Sequence, residues 1–278
     1  GKALQMGTSH YLGQNFAKSA DVKFLNKDGV LEYVHATSWG VSTRLVGALI
    51  MTHSDDNGLI LPPKLAPIHV VIVPIYKTPE EQERTTAEAR AVAEELRAQG
   101  WTVKVDDREG MQPGAKYYEW ERKGVPVRIE IGPRDLEKGS LCVVRRFVIE
   151  QDGETEQEQR KRKKQFIARA EAIAGMPALM ETLQKDLLER ARIMREKKTR
   201  IIDTIEDFEA FFKGEGGGFA WVHWAGTRED EDAMAKRFET SIRCLPFEDQ
   251  IPEAGRGPGT CILTGKPSAQ RVLMAKAY

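Results

Sequence analysis

The sequence predicts a multidomain chain that combines the α/β and α+β fold classes. Between residues 66 and 170, strand-like apolar runs alternate with helical patterns, which is typical of an α/β layer fold. Beyond residue 176, an amphipathic helix precedes several short strands, which favours a small α+β domain. A length of 278 residues fits two or three domains.

The charge balance does not indicate a nucleic-acid partner. Lys and Arg together number 42, as do Asp and Glu, so the formal net charge is zero. Hydrophobic residues make up 41% of the chain and charged residues 30%, which is ordinary for a globular protein. Any nucleic acid must therefore bind a local basic face rather than a basic protein as a whole.

The cysteines and apolar runs bear on the cellular compartment. Three cysteines, at positions 142, 244 and 261, are too few and too scattered for a disulfide framework, which favours a reducing compartment. No apolar run approaches the ~20 residues of a membrane helix, and residues 1–20 lack the charged and apolar regions of a signal peptide. We therefore expect a cytoplasmic protein with no membrane partner.

The first 65 residues place glycine beside hydroxyls and cations in two short runs. Residues 5–10 read QMGTSH, and residues 37–44 read TSWGVSTR. Glycine lets the backbone approach a ligand closely. Hydroxyls and histidine give and accept hydrogen bonds, and arginine offers a fork of donors for phosphate. The two runs are the densest cluster of residue types suited to a ligand site.

The elements around these runs follow from local patterns. Residues 11–18 favour one or two helical turns, and residues 21–24 and 30–35 favour two strands joined as a hairpin by the turn sequence NKDG. Residues 45–51 form an apolar helical pattern, and residues 59–63 favour an extended strand.

The middle segment predicts four strands and two helices. Strands are expected at residues 68–76, 101–105, 125–131 and 141–144. One helix runs from Pro79 to the stop at Gly100, and another follows Pro113 and Gly114 and ends at Gly124. A β-α-β start makes the first two strands parallel.

The final segment predicts a long helix from Met176, with leucines at helical spacing, and further helices at residues 205–213 and 229–238. Glycines 214 and 216–218 are expected to end the helix at 205–213. Strands are expected at residues 219–224, 241–246, 259–262 and 272–275. Apolar packing of four aromatic residues should hold this domain together: Phe219, Trp221, Phe238 and Phe247.

The order of the motifs resembles one family closely. QMGTSHYLGQNF at residues 5–16, SWGVSTR at 38–44, THSDDNGL at 52–59 and PPKLAP at 62–67 are similar to prolyl-tRNA synthetases of the archaeal-eukaryotic type, which are class II synthetases. The resemblance extends to the last residue. It implies the C-terminal part of an antiparallel-sheet catalytic domain at residues 1–65, an anticodon-binding domain at 66–172, and a small C-terminal domain at 173–278.

The resemblance implies specific roles in adenylate formation. Arg44 matches the arginine of class II motif 3, which contacts ATP phosphate and is the candidate catalytic residue; Mg²⁺ would accompany the ATP. Gln5 and Thr8 match residues near the adenosine. The proline pocket of the family is matched by His10, Ser38, Trp39, Gly40 and the terminal Tyr278.

Taken one at a time, these residues have simpler interpretations. His10 is more often a hydrogen-bonded structural histidine, Trp39 a core aromatic, and Arg44 a surface salt-bridge partner. The ordered set of motifs favours the functional interpretation.

The anticodon-binding domain should read guanine bases. Arginine can bind the O6 and N7 acceptors of guanine, and a carboxylate can bind its N1 and N2 donors. By resemblance, Glu121, Arg128 and Asp135 match base-reading positions, and Lys164 matches less closely because an insertion disturbs the alignment. The alternative is that Arg128 and Glu121 form an ordinary surface pair. Cys142 is expected to be a small buried hydrophobic residue.

Residues 151–164 change from acidic to basic composition. One interpretation is a solvated hairpin tip between strands that end near residue 148 and start near residue 165. The other is that the basic half contacts tRNA phosphate.

Relatives often carry four cysteines that bind zinc in the C-terminal domain. Here the first pair is absent, and the second pair has become Cys261-Ile262-Leu263-Thr264. Because a structural zinc site needs four nitrogen or sulfur ligands, we expect no zinc.

The resemblance implies ligation of L-proline to tRNA(Pro) with ATP through a prolyl-adenylate, with no DNA partner. Motif 1, which builds the homodimer interface of the family, and motif 2 are not in this sequence. The chain is therefore expected to be a C-terminal fragment that is inactive alone. The alternative is a synthetase-like paralogue that binds tRNA or another RNA without aminoacylation. Retention of Gln5, Thr8, His10, Trp39 and Arg44 favours the enzyme.

Overall fold

The structure is a computed structural model that describes residues 1–213 and 217–278. It divides into two compact units: one joins residues 1–48 to residues 193–278, and the other comprises residues 49–192. We refer to them as the terminal unit and the central unit. In the part of the chain that the structure describes, no helix has the length and apolarity needed to cross a membrane.

The terminal unit begins with two antiparallel strand pairs. Strand β1 pairs with β4, and β2 pairs with β3 in the predicted hairpin. The prediction of helix from residue 11 is wrong for Tyr11 and Gly13, because both continue β1 in register with β4. The elements are β1 (Gly7–Gly13), α1 (Asn15–Ser19), β2 (Lys23–Leu25), β3 (Leu31–Tyr33), β4 (Ala36–Val41) and α2 (Arg44–His53).

The predicted strand at residues 59–63 is absent, although its sequence is apolar and extended. The amide of Leu59 donates to the carbonyl of Arg122, and the amide of Leu61 donates to the carbonyl of Gly124. The backbone bonds of this segment therefore go to the end of a helix rather than to a sheet, and two prolines follow. A side chain on Gly58, whose φ is +133°, would meet the Arg122 backbone at 2.5 Å.

The central unit is built on a five-stranded sheet in the order β6-β5-β7-β8-β9. Strand β5 is parallel to β6 and β7, which confirms the predicted crossover, whereas β8 is antiparallel to β7 and β9. The elements are β5 (Val70–Pro74), α3 (Pro79–Ala98), β6 (Val103–Val105), α4 (Pro113–Arg122), β7 (Val127–Ile131), α5 (Pro133–Lys138), β8 (Ser140–Arg145), α6 (Glu156–Lys163), β9 (Lys164–Ala168), α7 (Arg169–Ala174) and α8 (Met176–Lys197).

The two faces of this sheet differ. One face packs against α3, α7 and the first half of α8, in the largest core cluster of the described chain. On the other face, α4 covers β5, where Val71 and Val73 pack against Trp120 and Val125. The part of that second face formed by β7, β8 and β9 lies beyond this cluster and carries polar side chains, so it positions a candidate site.

The segment from residue 151 to 164 connects the antiparallel neighbours β8 and β9, which confirms the hairpin interpretation, but most of the connection is a helix. Helix α6 begins after Thr155, whose hydroxyl accepts from the Glu158 amide in a capping box. Strand β8 ends at Arg145, three residues before the predicted end, and β9 starts at Lys164. The acidic first turn and basic last turn suit the helix dipole, which explains the charge change along the segment.

The second half of the terminal unit is a four-stranded sheet in the order β10-β11-β15-β12. Strand β10 was not predicted; it has only three residues and pairs parallel with β11. The predicted stop of α9 at glycines 214 and 216 lies outside the described residues. The elements are β10 (Thr199–Ile201), α9 (Ile205–Lys213), β11 (Phe219–His223), α10 (Arg228–Phe238), β12 (Thr240–Cys244), β13 (Gly259–Thr260), β14 (Pro267–Ser268) and β15 (Arg271–Lys276), with 3₁₀ turns at Glu248–Gln250 and Glu253–Gly255.

The core of this sheet differs in part from the predicted aromatic set. Phe238 lies in the core and Trp221 is buried, but Phe219 is half-buried. Phe247 is wrong as a core residue, because 77% of it is exposed beside a 3₁₀ turn. Phe208 and Phe212 of α9 supply the central rings instead, 4.6 Å apart.

Candidate functional site

The β1–β4 pair brings together most of the residues predicted for the adenylation site. Thr8 lies opposite Gly40, and His10 lies opposite Ser38. Residues directly opposite on antiparallel strands share a face, so these four positions form one surface. The contact between Thr8 and Gly40 is close, since a Cβ on Gly40 would lie 2.9 Å from Thr8 Oγ1.

Trp39 lies on the opposite face of the same pair. It is in register with Ser9, and side chains alternate between faces along a strand. With 78% of the residue exposed, Trp39 is not a core aromatic, so the simpler interpretation of this residue is wrong. The register therefore separates the Trp39 ring from the surface of His10 and Ser38.

Arg44 and Gln5 meet at the end of the β1–β4 strand pair where β1 begins and β4 ends. The Nη1 of Arg44 donates to the Gln5 carbonyl oxygen at 3.1 Å. The Arg44 amide, at the first residue of α2, donates to the Ser42 hydroxyl at 3.3 Å. Arg44 forms no ion pair with the described residues, which contradicts its interpretation as a salt-bridge partner and leaves most of its guanidinium donors facing solvent.

Tyr278 is tied by its backbone to the strand that leads into Gln5. Its amide donates to the Ala3 carbonyl at 3.0 Å, and the Ala3 amide donates to the Lys276 carbonyl at 2.8 Å. The Tyr278 residue is 74% exposed, and its hydroxyl makes no hydrogen bond within residues 1–213 and 217–278. Ala3 is therefore hydrogen-bonded to residues 276 and 278, close in sequence to the start of β1.

In the central unit, Glu121 and Arg128 line one pocket of about 70 Å³. Glu121 lies near the end of α4, and Arg128 lies on β7. The chain turns between them at Gly124, whose φ is +74°. The pocket wall also includes three further cations: Arg145, Arg146 and Lys163. An anionic ligand with both donors and acceptors matches this lining.

Arg128 is held by two neighbours on its own side of the sheet. Its Nε and Nη2 donate to Glu130 Oε1 at 3.1 and 3.0 Å, and its guanidinium lies 4.2 Å from the centre of the Tyr117 ring. The Arg128–Glu121 surface pair is therefore wrong as an interpretation, because Arg128 pairs with Glu130 instead.

Glu130 was not identified from the sequence, and it connects several groups. It is 4% exposed, and its Oε2 accepts from Lys164 Nζ at 2.7 Å. Cys142 Sγ lies 3.7 Å from the same oxygen and is buried as predicted. Burial, followed by the charge of Glu130, raises the pKa of the Cys142 thiol to about 12. Because Arg128 and Glu130 share a face two residues apart, strand alternation was the available signal.

Asp135 and Lys164 do not line this pocket. The carboxylate of Asp135 accepts from the Gly132 amide at 2.9 Å and so caps the start of α5. Lys164 reaches Arg128 only through Glu130. Burial opposes the charged form of Lys164, but the hydrogen bond to Glu130 outweighs it and raises the pKa of Lys164.

Asp106 fixes α4 behind the pocket. Its carboxylate accepts from Trp120 Nε1 at 2.7 Å and from Arg108 Nε at 2.8 Å. The buried ammonium of Lys116 donates to the Asp106 carbonyl at 3.0 Å. Burial alone would raise the pKa of Asp106, but the bonds from Arg108 and Trp120 and the charge of Lys116 hold it at about 2.

Arg146 anchors Glu121 from the other side. Its Nε donates to the carbonyls of Glu121 and Leu59, both at 3.0 Å, and its Nη1 and Nη2 bind Asp55 at 2.9 and 2.5 Å. This buried guanidinium uses its whole fork, so it positions the Glu121 backbone rather than offering donors to a ligand.

Two parts of the chain match family models. Residues 69–174 match the family described as Anticodon binding domain, and residues 205–278 match the family described as Prolyl-tRNA synthetase, C-terminal. The chain is 48% identical over 278 residues to a proline--tRNA ligase of Christiangramia forsetii. It belongs to the prolyl-tRNA synthetase family.

Other relatives agree. A proline--tRNA ligase of Flavobacterium johnsoniae is also 48% identical, and one of Bacteroides fragilis is 47% identical over 279 residues. Each alignment covers all of this chain and 53% of the relative. The chain therefore spans about half the length of the prolyl-tRNA synthetases that it matches.

The cysteine-poor C-terminal domain does not bring metal ligands together in the described residues, where no group of three His, Cys, Asp or Glu side chains is suited to a metal ion. Hydrogen bonds from the Thr264 hydroxyl and nearby amides, stronger than the opposing effect of burial, lower the pKa of Cys261. His223 is buried, and a Cβ on Gly259 would lie 2.3 Å from its Nε2. These donors do not fit the four-ligand zinc site of the family.

Proposed function

We propose that the protein carrying this chain ligates L-proline to tRNA(Pro), converting ATP to AMP and diphosphate through a prolyl-adenylate. Family membership supports the proposal, because the relatives are named proline--tRNA ligases. The observation that carries it is the register of β1 with β4, which places Thr8, His10, Ser38 and Gly40 on one surface beside the Arg44–Gln5 contact.

Arg44 would bind the phosphates of ATP, and Gln5 and Thr8 would lie near the adenosine. The guanidinium of Arg44 is exposed at the start of α2. Among the described residues, its Nη1 alone makes a hydrogen bond, so the other donors can receive a phosphate. Bound Mg²⁺ would supply further neutralisation of the phosphate charge. Positioning and charge stabilisation are the main needs of an adenylate-forming step, and both suit a fixed arginine.

Proline would lie against His10, Ser38 and Gly40. Thr8 Oγ1 lies 2.9 Å from the place that a Cβ on Gly40 would take, so the Thr8 hydroxyl also lines this surface. Trp39 and Tyr278 remain predicted pocket residues. Trp39 lies on the face of the β1–β4 pair opposite to His10 and Ser38. Its substitution therefore tests whether the proline pocket extends around the edge of the strand.

In the central unit, Arg128 and Glu121 would read a guanine of the anticodon. The guanidinium can donate to guanine O6 and N7, and the carboxylate can accept from N1 and N2. Glu130 and Tyr117 hold Arg128 in one orientation, which suits base discrimination. Asp135 and Lys164 are proposed as contacts at the margin of this site.

The remaining proposals concern assembly and conditions. The protein would act as a cytoplasmic homodimer through residues outside this chain, would use ATP and Mg²⁺ without zinc, and would have no DNA partner. Residues 1–278 alone would not form the adenylate. Metal analysis of the purified protein would overturn the zinc proposal if it found one zinc ion per chain.

Proline-dependent ATP–pyrophosphate exchange tests the central proposal in the full-length protein. Arg44→Ala should lower exchange by roughly 10²-fold, as expected for loss of a preorganised donor to developing charge. Arg192→Ala, which removes an exposed arginine of α8 paired only with Glu189, is the matched control and should change little. Unchanged exchange in Arg44→Ala would refute the assignment.

The competing proposal is an RNA-binding paralogue without aminoacylation. The proposed guanine pocket is lined by residues of the central unit alone, so it includes no residue of the β1–β4 strand pair. Binding of tRNA(Pro) by the full-length protein, together with no pyrophosphate exchange, would favour the paralogue. Exchange that needs proline excludes it.

A further inference from the structure

Phe166 is an exposed aromatic residue on β9, the outermost strand of the central sheet. It is 67% exposed. Phenylalanine usually buries a large area when it packs, so this ring leaves substantial apolar surface in water. A single exposed apolar residue is ordinary on a protein surface. The position of Phe166 relative to the anticodon site is what makes it informative.

Strand register places Phe166 on the face of Arg128 and Glu130. Glu130 is opposite Cys142 on β8, and Cys142 is opposite Phe166 on β9. The row beside it runs from Arg128 through Val144 to Lys164. Directly opposite residues share a face, so the ring and the two cations lie on one surface. Adjacent strands are about 4.8 Å apart, which puts Phe166 roughly 10 Å from Glu130.

This part of the face is exposed at Lys164 and Phe166, whereas Glu130 and Cys142 beside them are buried. The cluster under α4 covers only the β5 side of the face. Lys164 has a side chain that is 46% exposed, and its Nζ lies 6.0 Å from the centre of the Phe166 ring. Lys163, the preceding residue, lines the pocket of Glu121 and Arg128. Two consecutive lysines, Lys163 at the pocket and Lys164 near the ring, therefore lie between the two places.

We propose that Phe166 is a stacking platform for an unpaired base of the tRNA anticodon loop, next to the base read by Arg128. The inference rests on the proposed tRNA binding and extends it to a second base. Any base can stack on an aromatic ring, so this contact adds affinity without selecting sequence. Lys164 would then meet the phosphate that joins the two nucleotides, which explains an exposed ammonium beside an exposed ring.

The apolar surface is too narrow to suit a protein partner. Cys142, the neighbour of Phe166 on β8, is 2% exposed, and the adjacent row has a cation at each end, Arg128 and Lys164. A protein interface has an apolar core much larger than one ring. One ring flanked by cations matches a flat base on a charged backbone.

Binding of an RNA hairpin with the tRNA(Pro) anticodon stem and loop to the full-length protein tests the proposal. Phe166→Leu keeps an apolar side chain and removes the aromatic face, and it should raise Kd roughly 5- to 150-fold, the usual effect of losing one stacked base. Phe166→Trp should bind about as well as the parent. Phe247→Leu, at an exposed phenylalanine of the terminal unit, is the matched control and should also leave Kd unchanged.

Two further readouts separate stacking from charge. An abasic site placed in turn at each unpaired loop position should weaken binding to the parent and to Phe166→Trp at one position where it changes binding to Phe166→Leu little. The salt dependence of Kd should be unchanged in Phe166→Leu, whereas Lys164→Gln should lower the slope by about 0.7. Equal binding by the Leu and Trp variants, or no loop position at which the abasic site distinguishes the parent from Phe166→Leu, would overturn the platform.

The outcomes also distinguish this proposal from the proposed function. Loss of binding in Arg128→Ala with parental binding in Phe166→Leu would refute only the platform. Parental binding in Arg128→Ala, with no preference for the proline anticodon, would refute the anticodon site itself. Melting temperatures of the Phe166 variants should match the parent, because Phe166 is on an exposed edge strand, whereas Arg128→Ala and Lys164→Gln remove partners of the buried Glu130 and are compared at a temperature where both are folded.

Discussion

The carboxylate of Glu130 accepts both the Nε and the Nη2 hydrogen bonds of Arg128, at 3.1 and 3.0 Å. Both residues lie on β7. The Glu130 side chain is 5% exposed, and the Arg128 side chain is 17% exposed. Tyr117 closes the other side of the guanidinium. Glu130 therefore limits the orientations that Arg128 can take, and it should act as a positioning residue without touching RNA.

Glu130→Gln should weaken binding of the tRNA(Pro) anticodon hairpin and relax discrimination against adenine in place of guanine. A hydrogen bond to a charged group is worth about 1.5–3 kcal/mol, so discrimination should fall roughly tenfold or more. Hairpin affinities with guanine and with adenine, measured for parent and variant, give this ratio. Proline-dependent pyrophosphate exchange should be unchanged.

Glu130→Asp provides the rescue arm of that experiment, because it keeps the charge on a shorter stem. Partial recovery of guanine preference would support positioning by charge. If Glu130→Gln discriminates as well as the parent, the orientation of Arg128 does not depend on this carboxylate.

The outcome at Glu130 shows where sequence patterns were sufficient. Most helices and the buried strands followed from period and capping, because each long element satisfies its own pattern, as Thr78 and Glu81 do at the start of α3. Short elements were missed: β10 has three residues, and each pairs with a residue of β11 that lies 20 positions further along the chain. Residues 59–63 were misassigned because their partners are tertiary.

The candidate sites show a similar division. The ordered motifs indicated which residue types mattered, and the register brought Thr8, His10, Ser38 and Gly40 together. The sequence could not show that Arg128 pairs with Glu130 instead of Glu121, because the choice depends on the turn at Gly124 and the anchoring of Glu121 by Arg146. Nor could the sequence show which face of the β1–β4 strand pair carries Trp39, since a register shift of one residue moves every side chain of a strand to the opposite face.

Asp106→Asn should destabilise the protein in a pH-dependent way. The pKa of Asp106 is lowered from 3.8 to about 2, so its charged form stabilises the fold above pH 3.8, and this contribution is lost as pH falls through 2. The difference in free energy of unfolding between parent and variant should be on the order of 2 kcal/mol at pH 7. It should shrink between about pH 4 and 2.

Urea unfolding, followed by tryptophan fluorescence at several pH values, measures this difference. Asp107→Asn is the control, because the neighbouring Asp107 makes an exposed ion pair with Arg90 and should contribute less than about 1 kcal/mol. A pH-independent difference for Asp106→Asn would mean that the carboxylate acts only through its shape.

Gly40→Ala should disturb the β1–β4 strand pair by a steric contact with Thr8. The new methyl group would lie 2.9 Å from Thr8 Oγ1, so either the Thr8 side chain must rotate away from its present position or one strand must shift. We expect a roughly tenfold or greater loss of proline-dependent pyrophosphate exchange in the full-length protein, since a displacement near 1 Å can reduce a rate by 10²-fold.

The double variant Thr8→Ala, Gly40→Ala separates this steric effect from the proposed role of the hydroxyl. Removing Oγ1 relieves the contact, so the melting temperature should return toward that of Thr8→Ala alone. Activity should not recover beyond that of Thr8→Ala if the hydroxyl contacts ATP. Additive losses in stability would show that the two residues do not touch.

Tyr278→Ala and deletion of Tyr278 should have different effects in the full-length protein. The amide of residue 278 donates to the Ala3 carbonyl, and Gln5 follows two residues later, next to Arg44. Tyr278→Ala keeps this backbone bond and removes only the exposed ring. Deletion removes both. If the ring contacts proline, Tyr278→Ala should raise KM for proline in pyrophosphate exchange while KM for ATP stays unchanged.

Deletion should additionally raise KM for ATP, because residues 3–5 lose a tether and Gln5 is the partner of Arg44. The expected increase is a few-fold, the effect of losing a hydrogen bond worth about 1 kcal/mol. Melting temperature should change little in either variant, since Tyr278 is largely exposed and contributes no side chain to the core. Identical kinetics for Tyr278→Ala and the parent would exclude the ring from the proline pocket, and any effect of the deletion would then belong to the backbone alone.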